Sequence, residues 1–289
     1  MDETTLRADM IERLEHRLDR PLDERVLTAL QRVPRETFVS ESPYDDRAGR
    51  EHGTRTLAPS TVVRMIAALD PSPGEETLVV GAGVGYTAAV LAEIVGARHV
   101  HAIDIDREIV HVARSNLSAA GYDAVLVDRR NGSTGLPEYA PFDRILLEAA
   151  VADPPRALIE QLDPDGRLVF PNGTGEQTLL AVEPEAGGAG DAGGDGSDGL
   201  DGADATDGAG GVDRSDRPAS PTSPSAGRRG GYRVRERAGP VRLQPMLADG
   251  ERGPIERNRT RREDAERAVT SAASRQGWEQ NWVDWDDHR

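Results

Sequence analysis

The sequence predicts an α/β protein, with a parallel sheet covered on both faces by helices, N-terminal helices ahead of it and an acidic insertion late in the chain. Three observations lead there. Short apolar runs alternate with helix-period segments between residues 77 and 182. A glycine cluster, Gly81-Ala82-Gly83-Val84-Gly85, lies directly between the first of these runs and the helix after it. Residues 185–231 then break the pattern, being dominated by Gly, Asp, Ala, Ser and Pro. Such a segment buries too little apolar surface to offset the entropy lost on ordering, so it is expected to be disordered.

In chain order, residues 4–18 read as a helix, with Leu6, Met10, Ile11, Leu14 and Leu18 on one face. Pro21 suits the first turn of a second helix carrying Leu22, Val26, Leu27 and Leu30, which Pro34 ends. Residues 41–59 are rich in Pro, Gly, Asp and Arg and read as a loop. Ser60 or Thr61 can cap the next helix, which Pro71 and Gly74 stop. Strands are then expected at Thr77–Val80, His99–Ile103, Ala124–Val127, Arg144–Leu147, Arg167–Phe170 and Thr178–Val182. Helices are expected at Thr87–Val95, Glu108–Ala120 and Pro155–Leu162, the last leaving through Asp163-Pro164-Asp165-Gly166. Tyr232–Arg237 and Val241–Leu247 are two strand-like runs that would close the same sheet, which makes 185–231 an insertion within one domain. The expected organisation is therefore residues 1–184 as N-terminal helices plus sheet domain, 185–231 as insertion, 232–250 as closing strands and 251–289 as a helical tail. Trp278, Trp282 and Trp285 share one face of that tail, and either dock on the domain or meet another chain. The Arg-rich stretch 252–262 reads as a solvated face.

Composition narrows the function. The net charge is −16 and every one of the 35 Lys-plus-Arg positions is Arg. Coding bias can replace Lys with Arg, but it does not explain the excess of Asp and Glu, which fits an acidic proteome in a salty cytoplasm. At molar salt the Debye length is about 3 Å, so surface self-repulsion is screened. The negative charge argues against nucleic acid as the main partner. There is no cysteine, hence no disulfide or thiolate metal site. The N-terminus is acidic without an apolar core, and no long apolar run occurs, so a soluble cytoplasmic protein without membrane contact is expected.

The residues that carry chemistry centre on the glycine turn. Gly81, Gly83 and Gly85 allow a tight turn and close approach of a ligand to the main chain at a helix N-terminus. The spacing is G-x-G-x-G, with Tyr86 in the sixth place, which favours an adenosyl ligand without a pyrophosphate over NAD. About 20 residues on, Asp104 closes the second strand, where an acid can bind both ribose hydroxyls; Asp106 fits a helix cap better. Asn131-Gly132 follows the third strand and could reach an adenine, or simply make a turn. Together these features describe a Rossmann-like sheet. His99 and His101 alternate on a strand without a third ligand, and no catalytic triad order, phosphate-binding lysine loop or metal-ligand spacing is present.

Several motifs in fixed order resemble the protein-L-isoaspartate O-methyltransferases: Arg32–Val39, Tyr44-Asp45-Asp46-Arg47, the Gly53–Pro59 loop, Leu78–Tyr86, Ala140-Pro141-Phe142-Asp143, Leu158–Pro171 and Gly239–Pro245. The resemblance covers about residues 25–184 and 232–247. It implies a Rossmann-like S-adenosylmethionine (SAM)-dependent methyltransferase, with SAM as methyl donor and L-isoaspartyl residues of damaged proteins or peptides as acceptors. By resemblance, Gly81, Gly83 and Gly85 cradle SAM, Asp104 holds its ribose, and Asn131 and Gly132 replace an Asp-Gly pair beside the adenine. The family typically shows Thr-Ile-Ser before Ala or Gln and Pro, with the Ser as its catalytic residue. Here the loop reads Gly53-Thr54-Arg55-Thr56-Leu57-Ala58-Pro59. Counted back from Pro59, Leu57 occupies the Ser position. With one residue deleted, Thr56-Leu57 matches Thr-Ile and the Ser is absent. The nearest hydroxyls are then Thr56 and, beyond the proline, Ser60, and Arg55 adds a cation able to hold an acceptor carboxylate. Two other readings follow from the departure: a methyltransferase of this fold with another acceptor, or a non-catalytic relative acting through its insertion and tail.

Overall fold

In the N-terminal helices apolar side chains recur at helical spacing, and the computed structural model, which describes residues 2–18, 21–185 and 231–247, shows where each stripe is buried. α1 (Glu3–Leu18) buries Met10, Ile11 and Leu14. α2 (Glu24–Arg32) starts later than Pro21 suggested: Asp23 is its N-cap and its carboxylate accepts the Arg25 N–H. A side-chain acceptor for a free helix N–H outweighs proline's preset φ. The segment 41–59 is not wholly loop. β1 (Gly49–Glu51) and β2 (Thr54–Thr56) pair antiparallel across His52-Gly53, both at positive φ (49° and 83°). Three-residue strands of polar residues carry no hydrophobic alternation, which is why they read as loop. α3 (Pro59–Leu69) has Pro59 in its first turn and Ala58 at the cap position. Neither Ser60 nor Thr61 caps it; instead the Asp46 carboxylate, distant in sequence, accepts the Ser60 N–H at 2.8 Å.

The main sheet holds β3 (Thr77–Val80), β4 (Val100–Asp104), β5 (Leu126–Arg129), β6 (Phe142–Leu147), β7 (Leu162–Asn172), β8 (Gln177–Pro184) and β9 (Tyr232–Val241). Their order is β5-β4-β3-β6-β7-β8-β9. The first five are parallel, and β8 and β9 join antiparallel. β7 runs through Asp163–Gly166, expected as a helix exit, with a register shift against β6 between Phe142 and Arg144. α4 (Tyr86–Val95), α5 (Arg107–Ala119) and the short α6 (Arg156–Glu160) complete the alternation.

Strand alternation divides the core into two layers. Val79, Ala102, Leu146, Val169 and Ala181 point to one face, packed against α1 to α5. Leu78, Val80, Ile103, Ile145, Leu147, Leu168 and Phe170 point to the other, beneath Leu158 and Ile159 of α6. Tyr232–Val241 forms one strand on β8, and the second expected strand is not one. The Gln177 side chain takes the Leu243 backbone, accepting from its N–H at 2.7 Å and donating to its O at 2.9 Å, and the segment then crosses the end of the sheet, where Ala150 N–H donates to Gln244 O and Met246 N–H to Ala150 O. The strand order reverses at β3, with β4 and β5 added on one side and β6 and β7 on the other, which opens a crevice at the C-terminal ends of β3 and its neighbours. No helix among the described residues is long and apolar enough to cross a membrane. The insertion proper, 186–230, and the tail from 248 onward, with its Arg stretch and three Trp, lie outside the described residues.

Candidate active site

The C-terminal end of β3 passes straight into the glycine turn, and backbone hydrogen bonds hold that turn in place. Gly81 N–H and Ala82 N–H both donate to Ile103 O, at 2.8 and 2.9 Å. Gly83 N–H donates to Asp104 Oδ2 at 3.1 Å, and Asp104 Oδ1 accepts Asp106 N–H at 3.1 Å. Asp106 caps α5 through Glu108 N–H and Ile109 N–H, the place its position suggests. Burial pushes the Asp104 carboxyl above the ordinary carboxylate range, partly offset by those backbone N–H groups. A carboxylate held this way keeps acceptor capacity for a ligand hydroxyl.

An open cleft with about 140 Å³ of enclosed space lies over this turn. Gly81, Gly83, Asp104 and Gly132 line it. Gly83 has open space where a Cβ would stand, with no atom closer than 4.0 Å, so a ligand can approach the main chain there. At Gly132 a Cβ would lie 2.6 Å from Val80 Cγ1 and 2.7 Å from Met246 Cε, so only glycine lets the third loop pack down beside β3.

Two expected cofactor residues sit elsewhere. Gly85 is not in the lining: with φ 94° it begins α4, and a Cβ would meet Leu117 Cγ at 3.2 Å and Ala113 O at 3.3 Å. Its place is helix-to-helix packing against α5. Asn131 is not in the lining either; its Oδ1 accepts the Ser133 N–H at 3.0 Å and the Ser133 hydroxyl at 2.8 Å, starting the one-turn helix that presents Gly132.

A smaller cleft, with about 20 Å³ of enclosed space, adjoins the first and is lined by Arg35, Arg55, Thr56, Leu57 and Thr87 among others. Thr56 is 4% exposed, and its Oγ1 accepts Gly49 N–H at 3.1 Å across the hairpin. Its hydroxyl hydrogen remains available to the cleft it lines. The loop beyond is fastened by Arg35, which is 2% exposed: Nε donates to Pro43 O at 2.7 Å, Nη2 to Leu57 O at 2.6 Å, and the guanidinium lies 4.3 Å from the Tyr86 ring centroid. Four residues line both clefts: Arg55, Leu57, Gly83 and Glu148. The Arg55 side chain makes no hydrogen bond or ion pair among the described residues.

Glu148 is a residue that sequence reasoning missed. It directly follows β6, its N–H donates to Val80 O at 2.8 Å, and its Cβ stands 3.5 Å from where a Gly81 side chain would begin. Oε1 is buried without a hydrogen-bond partner. Burial, with Asp104 nearby, pushes the carboxyl up to about 7, while the Thr87 hydroxyl and Arg35 pull the other way. The available signal was positional, an acid at the C-terminal end of the strand beside β3, where ligands of doubly wound sheets bind. The Gln244–Leu247 wall was also missed, because that run reads as strand. His99 and His101 both bond Glu76, at 2.7 and 3.1 Å, at the opposite end of the strands from the clefts.

A doubly wound, mostly parallel sheet with a glycine turn and a strand-end acid at its switch point defines a Rossmann-like α/β protein with an open cleft at the C-terminal ends of its strands. Residues 7–190 match the family model described as protein-L-isoaspartate(D-aspartate) O-methyltransferase, and the chain belongs to that family. Among curated relatives, a protein-L-isoaspartate O-methyltransferase of Aeropyrum pernix is 44% identical over 184 residues, covering 61% of this chain and 70% of the relative. One of Methanothrix thermoacetophila is 44% identical over 177 residues, covering 59% and 84%. A solved protein-L-isoaspartate O-methyltransferase superposes with a TM-score of 0.55 at 24% identity, over 61% of this chain and 59% of the other. A Plasmodium falciparum structure assigned to the same activity, in complex with S-adenosyl-L-homocysteine, gives 0.55 at 22% over 63% and 90%. At these identities the structural likeness is one of fold.

Proposed function

We propose that the chain is a SAM-dependent carboxyl methyltransferase acting on L-isoaspartyl residues of damaged proteins or peptides. The observation that carries this reading is the joining of the two clefts: the cleft over the glycine turn and Asp104 meets the hairpin-loop cleft at Arg55, Leu57, Gly83 and Glu148. Family membership supplies the reaction class. The larger cleft fits the donor on its own features, with open backbone at Gly83, an acid placed for ribose hydroxyls at Asp104 and a buried, unpartnered carboxyl oxygen at Glu148.

In this reading SAM supplies an electrophilic methyl group on a sulfonium. Asp104 accepts from the ribose, the Gly81–Gly83 backbone leaves room for the chain beyond it, and Gly132, presented by Asn131, borders the base. Arg55 holds the acceptor carboxylate as a charge-assisted partner. An acceptor carboxyl with a pKa near 4 is already ionised at pH 7, so no general base is required. The protein's task is alignment and exclusion of water, worth roughly 7–11 kcal/mol. Leu57 serves exclusion, and the Thr56 hydroxyl is the nearest donor for orienting the acceptor.

Leu57 also supports a second reading, in which a different acceptor fills the smaller cleft, since an apolar side chain stands where the family shows Ser. Transfer of labelled methyl from SAM to an isoaspartyl peptide in molar KCl tests both. The parent is expected to turn over this peptide, with Arg55→Met raising the acceptor KM about tenfold and Leu57→Ser changing kcat by less than the roughly 100-fold that a required polar donor supplies. No turnover by the parent and turnover by Leu57→Ser alone would assign the natural protein another acceptor.

A further inference from the structure

The junction of the two clefts holds two ionisable side chains of opposite sign, Arg55 and Glu148. The reaction proposed above also brings one anion and one cation together there, because the reacting methyl must lie where donor and acceptor spaces meet. Arg55 suits the acceptor carboxylate. The cation is the sulfonium, and the group on the page that matches it is the unpartnered, buried Oε1 of Glu148.

We infer that Glu148 is the counter-ion of the donor sulfonium, ionising when SAM binds and regaining a proton once the sulfonium has become a thioether, so that the site distinguishes donor from product. This rests on the methyltransferase reading of the site. The groups that act on Glu148 are Thr87 from α4, Asp104 from β4 and Arg35 from the turn after α2, and Tyr86 and Arg55 line the same cleft. Asp104 disfavours its ionisation, whereas Arg35 and Thr87 favour it, so without a ligand the carboxyl stands at about 7, between its two states. A fixed positive charge a few ångströms away would tip that balance.

The charges balance over the cycle. On donor binding Glu148 releases its proton to solvent. As the acceptor oxygen bonds the methyl carbon, the C–S electron pair moves onto sulfur, so sulfonium and acceptor carboxylate lose their charges together. Glu148 is then an unpaired buried carboxylate beside a neutral thioether, and it takes a proton back from solvent. The product, S-adenosylhomocysteine (SAH), is left without the attraction that held SAM.

Titration calorimetry at pH 7 in molar KCl, in two buffers of different ionisation enthalpy, counts the protons. Screening at that salt weakens surface pairs much more than buried ones. The parent is expected to release roughly half a proton on binding SAM and almost none on binding SAH. Glu148→Gln should abolish the release, weaken SAM about tenfold and leave SAH within about twofold. SAM binding without proton release, equal release with SAM and SAH, or release surviving in Glu148→Gln (from Asp104) would overturn the inference while leaving the methyltransferase reading in place. A parent that binds neither compound overturns both. The parent's own comparison of SAM with SAH decides the matter even if Glu148→Gln fails to fold.

Discussion

In the glycine turn after β3 the first bonds run from backbone to backbone, Gly81 and Ala82 being tied to Ile103 O, and two side chains add to them, Asp104 accepting from Gly83 N–H and Asn116 donating to Val84 O. The β1–β2 hairpin and the loop after it are held the other way. Thr56 Oγ1 accepts from Gly49, the Arg35 guanidinium donates to Pro43 O and Leu57 O, and Asp46 accepts the first N–H of α3. The donor side is thus built from the sheet itself, while the acceptor side hangs on a few long-range side-chain bonds. A change on the donor side should act on ligand binding with little loss of fold. A change among the hairpin's fasteners should act on stability and on acceptor geometry together.

Two substitutions can break that contrast. The larger effect is expected at Asp104→Asn, which removes the charge facing the ribose hydroxyls. SAM affinity should fall about 100-fold, since hydrogen bonds to a charged group are worth roughly 1.5–3 kcal/mol each. Calorimetry would measure the loss, and the thermal midpoint should move by only a few degrees. A smaller effect is expected at Arg35→Met. Losing its charge-assisted bonds should cost about 2 kcal/mol of stability in denaturant unfolding and raise the acceptor KM, with SAM affinity within about twofold. If Arg35→Met weakens SAM as much as Asp104→Asn does, the two sides are one unit and the contrast fails.

The same difference explains what could be read from the residues alone. β3, β4 and β6 are buried runs between glycines and prolines, and the Gly81–Gly85 cluster and Asp104 sit at fixed distances along the chain, so local pattern finds them. Gly85 and Asn131 show the limit of pattern. Spacing puts them at the ligand, yet Gly85 is needed by α5 and Asn131 by its own turn. The hairpin left no trace because its strands are three residues long and polar. The Asp46 bond to α3 spans 14 residues and the Arg35 bond to Leu57 spans 22, so neither is a local signal. Glu148 and the 244–247 wall gain their meaning only from the strand order, which brings the end of β6 beside β3 and carries the closing segment over both.

A crystal structure of the protein with SAH bound at molar salt tests the central claim most directly. The account predicts the ribose hydroxyls within hydrogen-bond distance of Asp104, the base beside Gly132, and the sulfur at the junction bordered by Arg55, Leu57, Gly83 and Glu148. A nucleoside seated elsewhere, such as the groove between α2 and α3 at Leu22, Val26 and Ile66, with Asp104 still bonded only to its own backbone, would contradict it.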